Sequence, residues 1–205
     1  MNQHTRIPAL DLTPGFDDPQ RDAQRVFRQV LEAMSHPGRI VQLDRLPEAP
    51  PSLSKAAAAI ALTLFDLDTP VWLSPELRQA VGPYVAFHTG AALTQTVASA
   101  GFLLVANGRA LPDLAEVAIG DPEYPERAAT IIIQVQSLQL GPGCRLRGPG
   151  VLGHIDVCVE GLAEEFWTAF AANHRKFPQG FDVLLVAGEQ VLGLPRSVAI
   201  DGKEN

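Results

Sequence analysis

The sequence has few cysteines, few lysines and no long apolar run, and each scarcity excludes a class of protein. Its two cysteines, Cys144 and Cys158, form no C-x-x-C pair and stand in no cluster with histidine, which excludes a disulfide framework and the common zinc motifs. The longest apolar run, Ala56–Leu62, is far shorter than the ~20 residues of a membrane-spanning helix. The first residues lack the apolar stretch of a signal peptide. We therefore expect a soluble protein of the reducing cytoplasm that contacts no membrane and holds no metal.

Lysine is scarce among the cations, and the overall charge is negative. Of the 16 cationic residues only three are lysine, and neither Lys55 nor Lys176 follows a predicted strand, so we expect no lysine-bound cofactor. The net charge is −7, and an acidic surface repels phosphates, which argues against a nucleic-acid partner. The abundant arginines favour pairing with carboxylate or phosphate, although a GC-rich coding bias explains the excess equally well.

Apolar residues at helical spacing predict five helices. The first, PQRDAQRVFRQVLEAMSHPG, has Asp18 placed to cap its start and Pro37-Gly38 to stop it. Its continuous apolar stripe consists of Ala23, Val26, Phe27, Val30, Leu31 and Met34. The second, SLSKAAAAIALTLFDLD, is apolar nearly all round, which predicts burial between layers. The others are the short segments PELRQAV and LPDLAEVA and the last helix, EGLAEEFWTAFAANHRKFP.

Apolar and β-branched runs predict the strands between these helices. They are GRIVQLDRL, TPVWLS, YVAFHTG, GFLLVANG, AATIIIQVQSL, CRLRGPG and the closing hairpin FDVLLVAGEQVLGLPRS, while HIDVCVEG fits a strand or a loop. Because strands alternate with helices, the expected fold class is α/β, a layered mixed sheet flanked by helices and antiparallel at its C-terminal hairpin. Residues 1–18 are interpreted as an extended N-terminal lead-in and residues 19–205 as a single α/β domain.

The stretch RGPGVLG matches G-x-G-x-x-G through Gly148, Gly150 and Gly153. A dinucleotide-binding turn needs a helix directly after it, whereas HIDVCVEG alternates apolar and polar residues. Pro149 also removes a backbone N–H from the turn. The motif is therefore interpreted as a tight turn that ends a strand.

Four residues are candidates for binding a substrate: Asp68, His88, Thr89 and Arg196. His88 and Thr89 end the predicted strand YVAFHTG, and strand ends are where α/β sheets hold ligands; a hydrogen bond at the strand terminus is the alternative for His88. Asp68 follows Asp66 at a helix end, where the pair either caps the next turn or meets a cationic partner. Arg196 follows a proline that stops a strand and reaches either an anion or a surface salt bridge. No nucleophile–base pair stands out, so no catalytic residue is assigned.

Six stretches spread from residue 22 to residue 197 together resemble one bacterial family. They are DAQRVFRQVLEAMSHPGRI, LTLFDLDTPVWLS, FHTGA, RLRGPGV, KFPQGFDVLL and LPRS. Each alone is a helix or a turn, but the ordered set is similar to PhnH, the H subunit of the carbon–phosphorus lyase core complex of phosphonate metabolism. The resemblance implies a reduced fold like that of the transferases that depend on pyridoxal phosphate (PLP), without the cofactor lysine. It also implies a homodimer bound to the G, I and J subunits.

For function, the resemblance implies a non-catalytic or accessory subunit. The assembly it supports, together with the L protein, forms ribose 1-phosphonate 5-triphosphate from a phosphonate and ATP and releases adenine. Two alternatives stay open: a small-molecule anion or nucleotide-binding protein that uses Asp68, His88 and Arg196, and a self-sufficient PLP enzyme. Ion pairs across subunit contacts, or contacts to phosphate groups, have candidates in Arg28, Arg145, Arg147 and Arg196.

Overall fold

The computed structural model describes residues 13–201. Within this range the helices are α1 (Pro19–Ser35), α2 (Lys55–Leu64), α3 (Pro75–Thr89) and α4 (Glu164–His174). The strands are β1 (Ile40–Gln42), β2 (Val71–Leu73), β3 (Leu93–Thr94), β4 (Phe102–Val105), β5 (Thr130–Gln134), β6 (Ser137–Arg147), β7 (Ile155–Glu160), β8 (Asp182–Ala187), β9 (Gln190–Leu194) and β10 (Ala199–Asp201). Residues 1–12 of the predicted lead-in lie outside the described residues.

The larger sheet is mixed, as its strand pattern predicts. Its seven strands run in the order β1-β9-β8-β5-β4-β2-β3. The five strands from β8 to β3 are parallel, whereas β9 and β1 are antiparallel to their neighbours. The β8–β9 hairpin pairs Ala187 with Gln190 across the turn at Gly188–Glu189, so the predicted C-terminal hairpin is confirmed.

Both faces of the central strands are buried, which explains their continuous apolar sequences. One face packs on α1, α2 and α3; the side chains that point there include Leu104 and Ile132. The other face packs on α4 and a second sheet, through Leu103, Ile131 and Ile133. Helix α2 lies inside the first layer, and every residue from 56 to 61 is fully buried. The prediction that this helix is buried between layers is confirmed.

Polar caps set the starts of α1 and α2, and the cap of α1 is the one predicted from the sequence. The Asp18 carboxylate accepts a hydrogen bond from the Arg21 N–H, and Pro19 opens the helix, a position where its missing N–H costs nothing. The Ser54 hydroxyl accepts from the Ala57 N–H at 3.2 Å. The lead-in before α1 is not separate from the core, because Phe16 packs against the first apolar layer.

A second sheet of three antiparallel strands, β10-β6-β7, was not expected from the sequence. The long strand β6 pairs with both neighbours, and its register with β7 shifts between Leu140 and Cys144. A bulge of this kind lets one strand bend while both ends stay paired. HIDVCVEG is thereby settled as a strand, and Cys144 faces the second apolar layer.

The segment YVAFHTG is not a strand, so that prediction is wrong. It continues PELRQAV as the single helix α3, despite Pro83 in its interior. Apolar side chains on one side of α3 are buried, including Leu77, Val81, Tyr84 and Val85, and this packing outweighs the local break that Gly82-Pro83 signals. The helix ends at Gly90, which has φ 70°, a left-handed conformation that glycine adopts without strain. LPDLAEVA is likewise shorter than predicted, with only one 3-10 turn at Leu114–Glu116.

The G-x-G-x-x-G stretch is a turn between β6 and β7, as interpreted from the sequence. No helix follows it, since β7 begins at Ile155. Gly150 has φ 82°, and a Cβ atom at this position would lie 2.1 Å from the Ser35 carbonyl oxygen. The glycine is required because the turn passes directly over the end of α1.

Candidate functional site

All four sequence-predicted site residues lie at one edge of the larger sheet. We call this the amino edge, because the parallel strands β2, β4, β5 and β8 begin there. Asp68 precedes β2 by three residues, and Asp182, the partner of Arg196, is the first residue of β8. Helix α3 follows β2 and runs back before the parallel strand β3, so His88 and Thr89 at its end also reach this edge. In α/β sheets ligands usually bind at the opposite, carboxyl edge, so the topological argument for His88 does not hold.

His88 joins the end of α3 to the lead-in. Its Nε2 atom lies 3.0 Å from the Thr13 carbonyl oxygen, and a Cβ atom on Gly15 would be 3.1 Å from its Nδ1. The imidazole also contacts the rings of Tyr84 and Phe87, with centroid distances of 4.6 and 5.0 Å. In this arrangement the side chain holds the chain entering α1 against the helix layer.

Thr89 uses its hydroxyl to close α3. The hydroxyl donates to the Val85 carbonyl at 2.8 Å and accepts from the Ala91 N–H at 3.1 Å. Both contacts are local, and they lead the backbone out of the helix through Gly90.

Asp68 lies in an exposed turn that Asp66 organises. The Asp66 carboxylate accepts from the N–H groups of Asp68 and Thr69, each at 3.0 Å, so the capping alternative is confirmed for Asp66. Asp68 lines an open cavity of ≈ 560 Å³ at the amino edge. The one cation lining this cavity in the described chain, Arg127, already lies over the Tyr124 ring at 4.1 Å.

The side chain of Arg196 forms hydrogen bonds with other residues of the chain. Its guanidinium binds both oxygens of Asp182, with Nη2–Oδ2 at 2.5 Å and Nε–Oδ1 at 3.1 Å. The Nη1 atom donates to the Pro125 carbonyl at 2.7 Å, and the backbone N–H of Arg196 donates to the same carboxylate at 2.8 Å. The structure therefore contains the salt bridge of the second alternative, although this pair is largely buried and not at the surface as predicted.

Two of the other arginines that the sequence suggests for subunit or phosphate contacts also form ion pairs within the chain. Arg145 binds Asp156 on the neighbouring strand with Nε–Oδ1 at 2.9 Å, and the hydrogen bonds from this guanidinium hold the pKa of Asp156 below its usual range. Arg147 binds Asp201 of β10 at 2.7 Å. Arg28 on α1 has no carboxylate partner among residues 13–201.

The carboxyl edge holds a polar cluster that the sequence analysis missed. Gln134, the last residue of β5, accepts from the Ser54 N–H at 2.6 Å and donates to the Ser52 carbonyl at 2.9 Å and the Ala106 carbonyl at 3.2 Å. The buried Ser74 hydroxyl accepts from the Ala106 N–H at 3.1 Å. The sequence feature that could have indicated this cluster is the polar residue Gln134 at the end of β5. These contacts tie the loop before α2 to the sheet.

Among residues 13–201, one buried side-chain polar atom lacks a hydrogen-bond partner. The Tyr84 hydroxyl on α3 makes no hydrogen bond, although only 1% of the residue is exposed. Burial raises the pKa of this phenol to about 12, so it is uncharged across the physiological range. The hydroxyl lies within the apolar layer formed by α1, α2 and α3.

Neither a metal cluster nor a membrane helix is found in the described part of the chain. Across residues 13–201 no group of three His, Cys, Asp or Glu side chains is placed to hold a metal ion. Over the same range, every helix is too short or too polar to cross a bilayer. Of the four predicted binding residues, His88 and Thr89 make hydrogen bonds to backbone groups, Arg196 makes an ion pair, and Asp68 lies in an exposed turn. The described chain is a layered α/β protein.

Comparison with known proteins identifies the family. The family described as bacterial phosphonate metabolism protein (PhnH) matches residues 14–201. A Rhizobium meliloti (strain 1021) protein named alpha-D-ribose 1-methylphosphonate 5-triphosphate synthase subunit PhnH is 41% identical over 187 residues, which cover 91% of this chain and 94% of the relative. A Stutzerimonas stutzeri protein named putative C-P lyase subunit protein HtxG is 31% identical over 185 residues, covering 88% and 86%. The chain belongs to the PhnH family, and the sequence-based resemblance is confirmed.

Proposed function

We propose that this chain is an accessory, non-catalytic subunit of a carbon–phosphorus lyase core assembly. Its role is to support the formation of ribose 1-phosphonate 5-triphosphate from a phosphonate and ATP. The observation that carries the proposal is the 41% identity to a synthase subunit across 94% of that subunit's length. Similarity over nearly the whole length, rather than over one motif, favours a shared role for the entire fold.

The surface of the described chain supports a role in subunit contacts. Nine large apolar side chains are exposed between residues 13 and 201, and two of them, Phe27 and Leu31, are neighbours on α1. Single exposed apolar side chains are ordinary on a protein surface, whereas adjacent ones are typical of surfaces that partners cover. The proposed partners are a second copy of the chain and the G, I and J subunits, in the cytoplasm, where the free thiols Cys144 and Cys158 stay reduced.

Co-purification tests the proposal directly. The tagged chain, co-expressed with the G, I and J subunits, is expected to elute with all three. Expressed alone, it is expected to have a mass near twice its 22.0 kDa and no activity towards ATP and methylphosphonate. Elution free of every co-expressed subunit contradicts the proposed function, and a monomer mass contradicts only the homodimer.

The PLP-transferase-like fold is also a proposal. Parallel central strands with an antiparallel edge, covered by helices on one face, are compatible with it. Lys55 opens α2 and Lys176 follows α4, so neither stands at a strand end where a Schiff-base lysine is expected. The protein should stay colourless after incubation with PLP; a visible absorbance that borohydride abolishes favours the PLP enzyme instead.

A further inference from the structure

Helix α1 leaves part of its apolar stripe uncovered. Of the six positions on the stripe, Val26 and Val30 are buried, whereas Phe27 is 50% exposed and Leu31 is 56% exposed. Phe27 and Leu31 are four residues apart, so their side chains are neighbours on the helix surface. Two large apolar groups side by side in water are unfavourable unless another surface covers them.

An unpaired cation stands within this exposed patch. Arg28 lies three residues before Leu31 and therefore on the same side of α1. The other two arginines of α1 have carboxylate partners: Arg21 pairs with Asp18 at 3.6 Å, and Arg25 pairs with Asp44. Arg28 alone among the three has no such partner within the described range.

A groove beside α1 is lined by a second arginine that has no carboxylate partner among the described residues. Its volume is ≈ 830 Å³, and its walls include Arg28 and, on the loop after β1, Arg45. Arg45 also has no carboxylate partner between residues 13 and 201. The patch formed by Phe27, Arg28 and Leu31, together with Arg45 across the groove, is called the α1 surface below.

The charges of the α1 surface discriminate between its possible occupants. A second copy that used the same surface on a two-fold axis would bring two further arginines and no carboxylate, because Arg28 and Arg45 are the charged groups of the α1 surface. A polyphosphate would leave Phe27 and Leu31 uncovered. Its clustered negative charges would also face the carboxylates that line the groove, which are Asp17, Asp18, Asp22 and Glu48. A protein segment with apolar side chains and separate carboxylates can cover Phe27 and Leu31 and place one carboxylate on each guanidinium, which binds it through two hydrogen bonds.

We propose that the α1 surface docks another subunit of the assembly, through a segment of that subunit in which apolar side chains cover Phe27 and Leu31 and carboxylates pair with Arg28 and Arg45. The inference rests on the proposed function, since it takes the partner from that assembly. The partner differs from this chain, and the contact is separate from any homodimer surface.

Co-expression of the tagged chain with the G, I and J subunits tests this assignment. We expect Phe27→Asp and Leu31→Asp to recover at least tenfold less of the partner subunits than the unmodified chain. Arg28→Glu should also reduce recovery, and it keeps the test decisive if an apolar variant fails to fold. Phe87→Asp is the matched control, because Phe87 is 69% exposed on α3 and should leave recovery unchanged. Circular dichroism and thermal unfolding establish that each compared variant is folded.

The outcomes separate this inference from the proposed function. If the unmodified chain recovers no subunit, the proposed function fails and the inference fails with it. If the unmodified chain and folded α1 variants recover the subunits equally, the inference alone is wrong. Loss of recovery in Phe87→Asp also overturns the assignment to α1. So does a fall in the solution mass of isolated Phe27→Asp from dimer to monomer, or an ATP-induced rise in melting temperature that Arg28→Glu abolishes.

Discussion

Arg196 binds Asp182 at the amino edge of the larger sheet, where β9 ends and β8 begins. Three donors of Arg196 reach this carboxylate: the backbone N–H, Nε and Nη2. Both side chains are largely buried, with 15% and 18% of their surfaces exposed. The pair fixes the end of β9 against the start of β8, and Nη1 extends the contact to Pro125. Arg196, for which the sequence left an anion and a salt bridge as alternatives, thus stabilises the sheet through a salt bridge.

Replacing Arg196 by alanine is expected to reduce the free energy of unfolding by about 2–3 kcal/mol, because Asp182 would be left without its partner at a poorly solvated site. Urea denaturation measures the change. The control is Arg147→Ala, whose ion pair with Asp201 is about half exposed and should cost at most about 1 kcal/mol. Equal effects of the two substitutions would contradict the structural role of Arg196.

Tyr84→Phe removes a buried hydroxyl that has no hydrogen-bond partner. Because the folded protein leaves this group unsatisfied, we expect stability to stay unchanged or to rise by up to about 1 kcal/mol. Tyr84→Ala should cost about 3–5 kcal/mol, since it also leaves a cavity in the helix layer. Thermal unfolding of both variants checks the pair, and a marked loss of stability in Tyr84→Phe would show that the hydroxyl has a partner.

Glycine substitutions in the β6–β7 turn separate a packing role from a ligand role. Gly150→Ala should cost at least about 2 kcal/mol, because a left-handed backbone conformation is combined with a collision against Ser35. Gly153→Ala, with φ 74° and open space around it, should cost only about 1 kcal/mol. Neither substitution is expected to change affinity for nucleotides. Similar destabilisation by both would be inconsistent with the close contact at Gly150.

Asp156 should contribute to stability in a pH-dependent way. Arg145 lowers the pKa of its carboxyl in the folded state, so the folded protein binds fewer protons than the unfolded chain near that pKa. This contribution is complete above the unfolded pKa of about 4 and is lost as the pH falls through the folded value. Asp156→Asn should therefore be less stable at pH 7 and lose less stability between pH 7 and pH 3. Parallel pH profiles of urea midpoints for the two proteins would contradict this.

Elements whose signals are local could be predicted from the sequence, and elements that depend on distant partners could not. Helix α1 carries its own cap and apolar stripe, and the β8–β9 hairpin carries its own turn. Where α3 lies, the sequence predicts a helix and then a strand on either side of the local break at Gly82-Pro83. The burial of Tyr84 and Val85 against other elements is not visible in the sequence. The pairing of β10 with β6 joins segments more than 50 residues apart, so the second sheet had no local signature.

The roles of the candidate site residues also depend on partners that are distant in the sequence. The residue types at Asp68, His88 and Arg196 suggested polar chemistry, but their partners decide what each one does. Arg196 forms an ion pair with Asp182, 14 residues away, and His88 contacts the backbone carbonyl of Thr13, 75 residues away. Gln134 was overlooked because its partner Ser54 lies 80 residues earlier. Residue type limits the possible chemistry, whereas the fold selects the partner.

The most direct test of the central claim is adenine release from ATP and methylphosphonate by the reconstituted assembly. The account predicts that this chain alone releases no adenine, that the G, I and J subunits with the L protein release little without it, and that adding it restores the rate. Adenine release by the isolated chain, or an assembly that works equally well without it, would contradict the account.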